Sequence, residues 1–79
     1  MSPTIFVEKG YRFFFFSREE PRLHVHVQSA RGEVKFWVEP RIELADYTGL
    51  SGREIRIIEA IVREREHEIR CAWRRHFSR

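Results

Sequence analysis

Apolar and polar residues alternate in short bursts through the first half of the chain, then settle into a 3.6-residue rhythm through the last third. Each burst reads as a half-buried strand, because successive strand side chains point to opposite faces. Residues 4–7 make the first expected strand, and Lys9-Gly10 follows as a turn, with Gly10 free to take a positive φ. Residues 11–16 make the second, aromatic throughout. Residues 17–22 are a loop of charged residues and a proline. Residues 24–28 alternate again, Ala30-Arg31-Gly32 turns, and residues 33–39 alternate up to Pro40, which cannot donate to a ladder. Residues 42–45 are either a short fifth strand or an irregular segment.

The last third predicts a helix. Ser51 stands as N-cap, Glu54 completes a capping box three residues on, and Leu50 with Ile55 occupy the staple positions. Ile55, Ile58, Val62, Ile69, Ala72, Trp73 and Phe77 recur on one stripe, with Ile61 alongside. Glu59 with Arg63, and Glu66 with Arg70, lie four apart on the wet side. The expected fold is α+β: an antiparallel meander of four to five short strands packed on one long C-terminal helix, as a single domain over residues 1–79. Unbroken from Ser51 to near Phe77, that helix would run about 39 Å and overhang a domain about 30 Å across. Its bare end would then favour self-association, unless a kink near Arg65 and Glu66 folds it back.

Alternation also sorts the strands into two faces. Val25 and Val27 oppose His24, His26 and Gln28, while Val34, Phe36 and Val38 oppose Lys35, Trp37 and Glu39. With Arg12 in water, Phe14 and Phe16 share its side, and Ile5 and Val7 face inward with Phe6 outward. One helix covers one face. The other would carry Phe6, Arg12, Phe14, Phe16, His24, His26, Lys35 and Trp37. So many aromatics together in water call for a covering partner.

Composition adds less. The 79 residues are 42% hydrophobic and 34% charged, a globular mixture with a thin core, for which partnering is a common remedy. One cysteine, Cys71, excludes an intrachain disulfide and fits a reducing compartment. The N-terminus lacks a signal-peptide pattern and no apolar run spans a bilayer, so the expectation is a cytoplasmic protein with no membrane contact. Residues 1–50 carry seven Lys/Arg and seven Asp/Glu, whereas residues 51–79 carry eight Arg and five Glu. The positive field therefore belongs to the chain's end.

Three constellations carry candidate chemistry. His24-x-His26 places two imidazoles on one strand face, about 6.5–7 Å apart along the chain. That spacing suits two ligands of one metal, or an acid and a base across one phosphate, with Lys35 to stabilise charge. The plainer reading is two amphipathic side chains on a half-exposed face. The Arg12, Phe14, Phe16, Lys35 and Trp37 group resembles a base-stacking platform, or else the buried face of a protein interface. Arg70, Arg74, Arg75 and Arg79 form a tail able to contact phosphates, or a solvated end that complements the helix dipole. Cys71 reads as core. No Gly-rich phosphate loop, nucleophile elbow or zinc ribbon is present, so no cofactor is expected.

Pro3-Thr4-Ile5-Phe6, Glu8-Lys9-Gly10-Tyr11-Arg12-Phe13-Phe14-Phe15, Pro21 with His24-Val25-His26-Val27, and the run Gly32-Glu33-Val34-Lys35-Phe36-Trp37-Val38-Glu39-Pro40 stand in order. The chain resembles the short prokaryotic family catalogued as domain of unknown function 4160. The resemblance implies a small protein encoded beside, or fused to, another small domain, in what look like toxin–antitoxin or other two-gene modules. It carries over no catalytic residue. In the family two prolines usually precede the histidine box, where Pro21-Arg22-Leu23 stands here. The expected function is a non-catalytic binding and regulatory module with a protein partner or a second copy of itself, and possible nucleic-acid contacts. The rival is a small ribonuclease-type enzyme or metal-binding protein using His24 and His26.

Overall fold

The computed structural model describes residues 4–16 and 21–77. Five strands, β1 (Thr4–Glu8), β2 (Tyr11–Phe14), β3 (His24–Gln28), β4 (Glu33–Trp37) and β5 (Glu43–Thr48), precede two helices, α1 (Gly52–Glu64) and α2 (Glu66–Phe77). The strands pair antiparallel in chain order, a meander with β1 and β5 at its edges. The α+β expectation stands, and the fifth strand is real. Glu8 pairs with Tyr11 across Lys9-Gly10, both with positive φ, as a two-residue hairpin loop requires. At Gly32 a Cβ would lie 1.9 Å from the Thr48 carbonyl oxygen, so only glycine lets the β3–β4 turn rest on the end of β5.

The capping box forms as expected. Ser51 Oγ accepts from the Glu54 amide at 3.2 Å, and Glu54 reaches back to the Ser51 amide. The single long helix does not form: it breaks at Arg65, the C-cap of α1. The break has a cause. The Arg65 guanidinium lies 3.6 Å over the Phe6 ring and pairs with Glu8 and Glu68, which anchors the corner to β1. Two helices of 13 and 12 residues then fit a body of 37 × 26 × 20 Å. The helix is interrupted there, and Trp73 of α2 packs on Phe15 and Phe77 of its own chain. The interruption falls where a kink near Arg65 and Glu66 is one of the two expected outcomes, so an overhanging helix end gives no argument for self-association.

The inner face of the sheet buries Phe13, Val25, Val27, Val34, Phe36 and Val38 against Ile55, Ile58, Ile61, Val62 and Ile69. The first strand departs from simple alternation. A register shift between Thr4 and Phe6 turns Phe6 inward, where it stacks on Phe13 at 4.5 Å, and leaves Val7 63% exposed. Ile5 still packs on the core. Among the described residues, no helix is long and apolar enough to cross a membrane.

Candidate functional site

The outer face is built from cross-strand rows. Phe14, His26, Lys35 and Asp46 form one row across β2 to β5, and His24, Trp37 and Glu43 form the next across β3 to β5. The sequence-predicted group is therefore brought together, but it is not bare. Arg12 lies 4.4 Å over the Phe14 ring, held by bonds to Thr4 Oγ1 and Gln28 Oε1. Lys35 at 4.3 Å and Arg22 at 4.1 Å both lie over Trp37. Phe14 is only 4% exposed as a result, while Phe16 remains 41% exposed. Long cationic side chains cover the rings with their stems and keep their charge wet. A covering partner is thus not required to keep these aromatics dry.

The two histidines part company. Their rings meet edge to face with centroids 5.0 Å apart, so both stand on the outer side. His24 nevertheless is fully buried, touching Trp37 and also Trp73 of α2. The expected surface pair is corrected here: Trp73 of α2 packs against His24 and helps to bury it. Its Nδ1 lies 2.7 Å from the Arg22 carbonyl, which can only accept, so Nδ1 carries the proton. His26 is half-buried between Phe14 and Phe16.

A hollow of about 180 Å³ opens beside His26. Phe16, His26, Glu33, Lys35, Asp46, Tyr47 and Thr48 line it with Val34. Asp46, Tyr47 and Thr48 belong to β5 and escaped the sequence reading. A strict period of two past Ala45 would put Asp46 and Thr48 on the side of Leu44; the register shift there brings them to this face instead. Among the described residues, no three His, Cys, Asp or Glu side chains stand where they could hold one metal ion.

The chain belongs to the family described as Domain of unknown function (DUF4160). The family model matches residues 10–74, from the first hairpin turn to the last turns of α2. No curated protein and no solved structure matches the chain. In this DUF4160 chain the matched stretch holds every outer-face residue just described except Thr4.

The arginine tail is not one unit. Arg70 pairs with Glu66 and Glu39 and donates to the Val38 carbonyl, and its hydrogen bond to Glu66 raises its pKa further. It clamps α2 to the end of β4. Arg74 and Arg75 are exposed, and Arg79 lies outside the described residues. Cys71, expected in the core, is partly exposed, with Sγ 3.4 Å from His67 Nε2.

A second polar cluster went unseen in the sequence. Glu54 is buried at the start of α1, where Arg31 of the β3–β4 turn reaches it with Nε 3.1 Å from Oε2, and Tyr11 donates from 3.4 Å. The Arg31 hydrogen bond, outweighing burial, holds the Glu54 carboxyl below the usual carboxylate range. Burial, then the neighbouring Glu54 charge, pushes the Tyr11 hydroxyl up. With every carboxylate contact internal, this cluster reads as a tie between sheet and helix.

Proposed function

We propose that the chain is a small binding module that engages a protein partner through the outer face, around Phe16, His26, Lys35 and Trp37. The hollow beside His26 carries this reading: an exposed ring, a half-buried imidazole, a lysine and an aspartate converge on one open site. Interface centres favour such aromatic anchors ringed by polar groups. Cations already laid over Phe14 and Trp37 hold the rings in place, so little side-chain entropy is lost when a partner arrives.

The family setting suggests the partner: the small protein encoded by the neighbouring gene, in a regulatory pair of toxin–antitoxin type within a prokaryotic cytoplasm. Nucleic acid is a secondary contact in this reading, made by Arg74 and Arg75. The enzyme rival keeps one supporting observation, since His26, Lys35 and Asp46 share the hollow. Buried His24 is poorly placed to move a substrate proton.

Co-expression with the neighbouring gene product, followed by native mass spectrometry, tests the proposal. The expected result is a stoichiometric complex that Phe16→Glu weakens about ten-fold or more. No complex, together with RNA hydrolysis that His26→Ala abolishes, would replace the binding reading with the enzymatic one.

A further inference from the structure

Four large hydrophobic residues are exposed among those described, and two of them, Leu44 at 43% and Tyr47 at 52%, stand on β5. Residues three apart on a regular strand face opposite ways. Here the register shifts between Lys35 and Phe36, so β5 carries an extra residue at Ala45. Leu44 then sits opposite Phe36 and Tyr47 opposite Val34, both on the inner face. The edge also turns a donor outward. The Tyr47 amide bonds to Asp46 Oδ1 at 2.9 Å, its own neighbour's carboxylate taking the place of a strand carbonyl. At the opposite edge α2 stands alongside β1, where Ile5, Glu68, Ala72 and Arg75 line one hollow. Glu8 there is tied to Arg65.

The geometry points to β5 pairing antiparallel with β5 of a second copy, about a two-fold axis between Ala45 and Asp46. In this register Leu44 meets the partner's Tyr47, inner face with inner face. Glu43 meets the partner's Thr48, and Asp46 meets the partner's Ala45, so no like charges stand opposite. Slipping one residue one way opposes Asp46 to the partner's Asp46, and slipping the other way opposes Leu44 to the partner's Asp46. Like charges directly opposite destabilise a pair, and a one-residue slip mismatches the faces. Charge and apolar pattern thus select one register. The axis stands perpendicular to the sheet, so both helical layers lie on one side and both outer faces stay open on the other. The contact does not depend on the outer-face reading, and would present two copies of that face to a partner.

An edge contact of six residues belongs at the small end of interfaces, so sedimentation equilibrium from about 20 µM to about 1 mM is the suitable range. The wild-type chain should dimerise progressively across it. Leu44→Lys introduces its defect twice across the axis and should weaken association about ten-fold. Adding Tyr47→Glu restores a facing pair, Lys to Glu, and should recover the dimer. Both side chains are exposed, so the variants should keep the wild-type circular dichroism. A monomer throughout, an unchanged dimer in Leu44→Lys, or no recovery in the double variant would each overturn the pairing.

Discussion

The two faces of this sheet bury aromatic rings by different means. The inner face does so with another layer: α1 and α2 lay isoleucines and a valine over Phe13 and Phe36, both fully buried. Apart from Trp73 of α2 against His24, the outer face has no such layer among the described residues, yet Phe14 is nearly as buried, because Arg12, Phe16 and His26 pack around it. A chain of 79 residues can therefore shelter a second apolar surface with its own long cations. The inner cover is fixed by many aliphatic contacts. The outer cover consists of single side chains that a partner could displace, as the recognition proposed for that face requires.

The sharpest way to break this contrast is to truncate one ring on each side. Phe36→Ala should cost about 3–5 kcal/mol by urea denaturation, and Phe14→Ala about 3 kcal/mol. A loss below about 1 kcal/mol at Phe14 would mean that the outer rings are surface residues after all.

The histidines sharpen it next. His24→Ala should cost about 2 kcal/mol or more, since it leaves a void and strands the Arg22 carbonyl, while His26→Ala should cost under about 1 kcal/mol. Equal effects would undo the distinction drawn between them. Ser51→Ala, at the entry of the inner layer, should cost about 1 kcal/mol through the lost cap. Lys35→Met should change stability by less than about 1 kcal/mol, the worth of one exposed cation over Trp37.

A last effect depends on pH. The Glu54 carboxyl titrates lower in the folded chain than in the unfolded one. The stability it contributes is present above the ordinary glutamate value of about 4.3 and is lost as pH falls through the folded value. Glu54→Gln should therefore lower the thermal midpoint at neutral pH, with the gap to wild type closing in acid. A gap constant down to strongly acidic pH would contradict the Arg31 tie.

Much of this was legible in the residues themselves. Alternation placed Val25, Val27, Val34, Phe36 and Val38 inside, and Ser51 with Glu54 marked the helix start. The failures share a physical origin. Two register shifts, near Ile5 and Ala45, break the period of two without a glycine or proline to announce them. They reversed Phe6 and Val7 and hid the outer-face role of Asp46. The interruption of the stripe at Arg65 and Glu66 marked where the helix could kink, but its anchor on Glu8, 57 residues away, is reported by no local periodicity. The contact of Trp73 with His24 is equally long-range, so the burial of His24 was also out of reach.

The outer-face claim meets its most direct test in the two indole N–H signals of a ¹⁵N NMR spectrum. Trp37 stands on the outer face under Lys35 and Arg22, and Trp73 packs with Phe15 and Phe77 on α2. Titration with the neighbouring gene product should move the Trp37 signal and leave that of Trp73 nearly still. A Trp73 shift with Trp37 unmoved would place recognition on the helical side and contradict the claim.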